Sequence, residues 1–141
     1  MSDDRKITGV VFSDLGQAAS FMALDWVRKV LREKVGFAPY AGTLNLRLSS
    51  AQGVTRWKEL RRTLKGVDIP PPDPSTCRAR CYLARIEGAR EKVEGGGRVA
   101  VLVPEVKDYP EDKLEIIAPF HVKKSLGIDD GNQLTLELIG D

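Results

Sequence analysis

Short runs in which apolar and polar residues alternate, each bounded by glycine, proline or acidic turns, constrain this chain more than any other feature. The clearest is "GTLNLRL" (42–48). Successive side chains on a strand point to opposite faces, so Leu44, Leu46 and Leu48 share one face and Thr43, Asn45 and Arg47 share the other. Alone, the run describes an outer strand with one dry and one wet face. "ITGVVF" (7–12), "CRARCYLARI" (77–86), "RVAVLV" (98–103), "KLEIIAP" (113–119) and "QLTLELI" (133–139) also read as strands. Helical spacing appears in fewer places. "DWVRKVLREKVG" (25–36) has Asp25 to cap its start and Trp26, Val27, Val30, Leu31 and Val35 on one face, with Gly36 as its stop. "RWKELRRTLKG" (56–66) repeats Trp57, Leu60 and Leu64 in a short basic helix, and Pro119 suits the first turn of a third helix, "PFHVKKSLG" (119–127). "IPPPDP" (69–74) excludes regular structure and reads as a stiff connector, whereas "DDG" (129–131) is a tight turn into the last strand. Short strands with few helices predict a mainly β fold, a compact barrel with attached helices, in one domain over residues 1–141.

Composition narrows the function classes. The chain has 22 basic and 20 acidic residues, a formal charge of +2, which argues against a dedicated nucleic-acid surface. Basic residues do cluster at 56–65 and at Arg78 and Arg80, a pattern that solvated faces explain. No apolar run is long enough to span a bilayer, and "MSDDRK" begins no secretory signal, so the chain reads as cytoplasmic. Cys77 and Cys81 would sit roughly 13 Å apart along one strand face. A disulfide needs Cα atoms within about 7 Å. With a single histidine, His121, the pair also makes a poor zinc site, so both cysteines are expected as free thiols.

Phosphate loops of the GxxxxGK[ST] type, GxGxxG turns and GxSxG elbows are absent. "GTLN" offers another route to a nucleotide. Thr43 and Asn45, two residues apart on a strand, aim a hydroxyl and an amide oxygen at one point, and Gly42 lets the backbone approach closely. Mg²⁺ prefers hard oxygen ligands and takes one or two from protein when phosphates supply the rest. Arg47 shares that face but reads as an ordinary surface arginine, and Trp26 and Trp57 read as core residues.

Three segments carry a resemblance: "GFAPYAGTLNLRL" (36–48), "LEIIAPFHVKKSLGIDDGNQLTLEL" (114–138) and, more loosely, "VVFSDLGQAASFMAL" (10–24). Together they resemble the archaeal-type, CTP-dependent riboflavin kinases over nearly the whole chain. The resemblance implies a small six-stranded cradle-loop β-barrel that transfers the γ-phosphoryl group of CTP to the 5′-hydroxyl of riboflavin, giving FMN and CDP. By that resemblance, Thr43 and Asn45 are the Mg²⁺ ligands. Leu15, Gly16, Gln17, Ala18, Ala19 and Ser20 form the nucleotide loop, joined at the nucleotide by Phe120, His121, Val122 and Lys123. Lys107 and Glu115 match flavin contacts. The loop departs from the family by having Asp14 and Ala18 where relatives are richer in glycine, and Lys107 stands where a small hydroxylated residue is usual. No general base is identifiable. The implied partners are CTP and riboflavin, with no nucleic acid or membrane, and the domain is expected to be a monomer. The alternative is a non-catalytic flavin- or nucleotide-binding module on the same barrel, with regulation as its role.

Overall fold

A computed structural model describes residues 5–13, 25–40, 43–70, 78–89, 94–105 and 107–140. Its strands are β1 (Lys6–Phe12), β2 (Leu44–Leu48), β3 (Val67–Ile69), β4 (Ala79–Ile86), β5 (Arg98–Pro104), β6 (Lys113–Ile117) and β7 (Gln133–Leu138). Its helices are α1 (Asp25–Val35), α2 (Ala51–Thr63) and α3 (Val122–Leu126). The strands run antiparallel in the order β3-β4-β5-β6-β2-β1-β7, and β7 returns to pair with β4. The ring β4-β5-β6-β2-β1-β7 is therefore a closed six-stranded barrel, with β3 an extra strand outside it. β4 makes closure possible. One of its edges pairs with β5 along its length, while the other is divided between β3 at Ala79–Cys81 and β7 at Ala84–Ile86.

The alternation read from the sequence points into this barrel. Leu46, fully buried, faces Val11 on one side and Leu114 on the other. Leu136 faces Ile7 and Ile86 across the closing seam. α2 covers the interior with Trp57 and Leu60, and the Trp57 ring meets Tyr82 edge-on at 5.6 Å. A second apolar layer lies outside the barrel. There Val27, Leu31 and Val35 of α1 pack on Cys81, Ala100 and Ile117 from β4, β5 and β6. β5 is thus buried on both faces over Val99–Leu102, which explains why "RVAVLV" alternates poorly.

Element boundaries differ from the sequence reading chiefly in three places. α2 begins at Ala51, ahead of the expected Arg56, because Ser50 Oγ accepts a hydrogen bond from Gly53 N at 3.0 Å and caps it. α3 begins at Val122, not Pro119, because His121 Nδ1 accepts from Lys124 N at 3.2 Å and is the cap. β3 takes in Ile69, which reads as part of the proline connector; residues 71–74 of that connector lie outside the described residues. Gly36 ends α1 as expected, at φ +97°.

Gly9 sits inside the barrel, between Leu48 and Leu134 on the neighbouring strands. A Cβ there would lie 2.9 Å from the Arg47 carbonyl oxygen. Backbone, not a flexible side chain, blocks it, so β1 and β2 must separate to admit a methyl group. Gly9→Ala is expected to lower stability by about 1–3 kcal/mol in chemical denaturation. An unchanged midpoint would show that the pair separates freely.

Cys81 is unbridged and fully buried beneath α1, while Cys77 lies outside the described residues. Burial pushes the Cys81 thiol up to about 12. In the unfolded chain the thiol ionises near 8.5, so the stability linked to it is full below that pH and is lost as pH rises toward 12. Peptide mapping after alkylation at mildly alkaline pH should find Cys81 unmodified in the native protein and modified after unfolding. Modification at equal rates in both states would contradict its burial.

Candidate functional site

β2 and β6 lie side by side, and their register places the wet face of "GTLNLRL" opposite that of "KLEII". Asn45 faces Glu115, and Arg47 faces Lys113. Thr43 directly precedes β2 and is half-buried. Arg47 stacks its guanidinium 4.7 Å above the Phe12 ring and pairs with Asp112 at 3.2 Å, so it is engaged in surface contacts. Trp57 is core, and Trp26 packs, partly buried, against the outer layer. Within the basic clusters, Lys58 pairs with Glu111, Arg62 with Glu59 and Arg80 with Asp68.

Where β2 begins and β6 ends, a cleft of about 190 Å³ opens. Thr43 stands in its wall with Phe120, His121, Val122 and Lys123. Tyr40 is at its rim. Its backbone N–H donates to the Ala118 carbonyl at 2.6 Å, fastening the chain before β2 to the chain after β6. The half-exposed Tyr40 ring meets His121 edge-on at 5.0 Å. One hydrogen bond thus joins two segments that are far apart in sequence.

At the other end of β6, a larger hollow of about 390 Å³ is lined by Trp57, Arg61, Val103, Asp108, Tyr109 and Lys113, among others. Glu115 adjoins it. Its Oε1 accepts from the Tyr109 hydroxyl at 3.0 Å and lies 3.5 Å from Lys113 Nζ, whose ammonium stands 5.6 Å from the Tyr109 ring centroid. Lys107 is exposed at the start of the same connection, and Asp108 beside it adopts φ +64°. Arg61 lies above the Trp57 ring at 5.3 Å, with its Nε buried and unbonded among the described residues. Tyr109, Lys113 and Arg61 were not legible as site residues, because their meeting depends on how the β5–β6 connection folds back over α2.

Among the described residues no group of three or more His, Cys, Asp or Glu gathers that could hold a metal by itself. The neutral oxygens of Thr43 and Asn45 instead fit a hard cation that arrives with most of its ligands. Leu15, Gly16, Gln17, Ala18, Ala19 and Ser20, the expected nucleotide loop, lie outside the described residues, as does Asp14.

A protein family described as "CTP-dep_RFKase: Domain of unknown function DUF120" matches residues 11–138. The chain belongs to this family. Among similar proteins, a riboflavin kinase of Pyrobaculum islandicum is 35% identical over 136 residues, covering 94% of this chain and 60% of its own length. Riboflavin kinases of Methanococcoides burtonii and Archaeoglobus fulgidus are 32% and 33% identical over 135 residues each. Each covers 95% of this chain, which spans 57% and 54% of their respective lengths. The CTP-dep_RFKase match runs from the end of β1 to the end of β7, so the resemblance drawn from three motifs holds across the barrel. No helix among the described residues is long and apolar enough to cross a membrane.

The Glu115–Lys113 pair is well shielded in this family member, with side-chain exposures of 14% and 15%. Removing one partner strands the other's charge. Lys113→Met is expected to destabilise the fold by about 2 kcal/mol, and adding Glu115→Gln should recover much of the loss. Thermal denaturation of the two variants checks this. A double variant no better than the single one would mean that the pair is not coupled.

Proposed function

We propose that this domain is a riboflavin kinase that transfers the γ-phosphoryl group of CTP to the 5′-hydroxyl of riboflavin, with Mg²⁺ as cofactor. The observation that carries the reading is the convergence of Thr43 with Phe120–Lys123 on one cleft. Those segments are separated by most of the barrel in sequence, and both belong to the motifs shared with the family. The cleft takes the nucleotide. The hollow beside Glu115 takes the flavin, with Lys107 at its edge. Between the two runs the Asn45–Glu115 pair, where donor and acceptor would meet.

The chemistry asks little covalent help from the protein. Phosphoryl transfer through a loose transition state depends on in-line positioning and charge neutralisation. The hydroxyl and amide oxygens of Thr43 and Asn45 would hold Mg²⁺, which neutralises phosphate charge when bound. Lys123 donates to phosphate oxygens. Tyr109 and Lys113 hold the Glu115 carboxylate, leaving it able to accept from a flavin hydroxyl or ring N–H. The riboflavin hydroxyl supplies the attacking oxygen, its proton leaves to solvent or phosphate, and CDP departs.

The test is to incubate the protein with riboflavin, MgCl₂ and each nucleoside triphosphate in turn, then separate the flavins by chromatography. FMN should form, fastest with CTP. Thr43→Ala and Asn45→Ala should each lower the rate at least about tenfold, a loss of about 1.4 kcal/mol of transition-state stabilisation. Their melting temperatures should hold, because neither change removes a core group. Full activity in both variants rejects the metal assignment. Flavin or nucleotide binding without turnover favours the non-catalytic module.

A further inference from the structure

We propose that Asp130 is a positioning residue for the donor nucleotide, acting through Lys123; this rests on the nucleotide reading of the cleft. Lys123 is the one lysine or arginine among the described residues lining the cleft. A free lysine side chain is flexible and strongly hydrated, and by itself would reach for solvent. This one is held. Its Nζ donates to Asp130 Oδ1 at 2.8 Å and to Ser13 Oγ at 3.3 Å, with Asp129 Oδ1 further off at 3.8 Å. An ammonium has three N–H donors, so these two bonds leave one for a ligand.

The anchor is itself fixed. Ser13 Oγ donates to the second carboxylate oxygen, Asp130 Oδ2, at 2.6 Å. Two backbone bonds tie the turn carrying Asp130 to β1: Gly131 N to the Val11 carbonyl and Val11 N to the Asn132 carbonyl, both 2.8 Å. Within the turn, Asp130 N donates to Asp129 Oδ1 at 2.8 Å and Asp129 N to Asn132 Oδ1 at 2.7 Å. The hydrogen bonds from Lys123, first, and Ser13 hold the Asp130 carboxyl below the usual carboxylate range, so it remains ionised. A rigid carboxylate at the closed end of β1 therefore sets where a lysine on α3 can place its ammonium.

The consequence for binding is directional. Because Asp130 balances the Lys123 charge, the pair is no general attractor of anions. It presents an N–H in one orientation, already immobilised before the ligand arrives, so binding does not have to order it. In sequence the aspartate reads only as a turn residue. An ordinary exposed ion pair of the same geometry would matter little to anything. The distinction is measurable.

The experiment is calorimetric titration with CTP and MgCl₂, and separately with inorganic tripolyphosphate, of wild type, D130A, D130N, K123M and K123M/D130A. D130A should weaken CTP binding about tenfold, equivalent to about 1.4 kcal/mol. D130N keeps an acceptor oxygen at the same length and should lose only about two- to threefold. On the K123M background D130A should add less than about twofold, since the effect passes through the lysine. The Michaelis constant for riboflavin should stay at its wild-type value in D130A. Wild-type affinity or tighter binding in D130A overturns the proposal, and so does an equal loss on the K123M background. If wild type forms no FMN from any nucleotide, yet D130A weakens tripolyphosphate binding in the Lys123-dependent manner, the kinase reading fails and the positioning role stands. If wild type forms FMN and D130A binds CTP normally, the positioning role alone fails. If wild type binds neither CTP nor tripolyphosphate, both fall.

Discussion

The return of β7 onto β4 is the constraint from which the rest of the structure follows. An antiparallel sheet of this size has two edges exposing unpaired backbone groups, and closure removes them. β4 allows it by offering one edge to two partners in succession, β3 at its start and β7 at its end. Once β7 is joined to β4, β1 is held between β2 and β7. The turn before β7 then reaches β1 and bonds to Val11. That brings the end of β1, the start of α3 and the Asp129–Asn132 turn to one rim, where Lys123 meets Ser13 and Asp130. The cleft around Thr43 opens beside the same α3 segment, so it is positioned by the barrel and not by any one loop.

Burial on two sides imposes a second requirement. β4, β5 and β6 face the barrel interior with residues such as Val99, Val101 and Leu114, and face α1 with Cys81, Ala100 and Ile117. Cys81 and Ala100 are small, which lets the helix approach closely enough for Leu31 to be almost completely buried. Enclosing a leucine-sized side chain contributes about 1.5–3 kcal/mol, comparable to a sizeable share of a small domain's net stability. Larger residues at these positions would lift α1 off the barrel, and with it the Pro39 carbonyl that Arg28 holds at 3.0 Å beside Tyr40.

The barrel was legible because its strands alternate, and one-sided burial enforces that alternation. "GTLNLRL" placed Leu44, Leu46 and Leu48 inside without help from any other part of the chain. Local capping was harder to read. Ser50 starts α2 in a stretch containing Gly53, and His121 caps α3 with a ring nitrogen, a role rarely assigned to histidine. The cleft was partly legible, since Thr43 and Phe120–Lys123 lie in recognisable motifs. Tyr40, Tyr109, Lys113, Ser13 and Asp130 were not. Each gains its role from a partner supplied by folding: Tyr40 from Ala118, Tyr109 from Glu115, and Asp130 from a lysine on another element. No spacing rule encodes such meetings.

On the proposed reading the cleft is a polyanion site, which would ordinarily be built from surplus positive charge. Among the described residues, Thr43 and Asn45 are neutral, His121 uses a ring nitrogen to cap α3, and the one lysine lining the cleft is already balanced by Asp130. On that reading the described residues of the cleft offer little surplus positive charge to attract a bare triphosphate. On the proposed reading, charge neutralisation comes with the ligand. A nucleotide carrying Mg²⁺ has a lower net charge and brings phosphate oxygens that complete an octahedral shell, which two neutral protein oxygens cannot fill. Metal and nucleotide then raise each other's affinity by the same factor, as linkage requires. On that reading, a cleft of this composition would discriminate between the metal–nucleotide complex and free phosphate by geometry, which an excess of positive charge could not do.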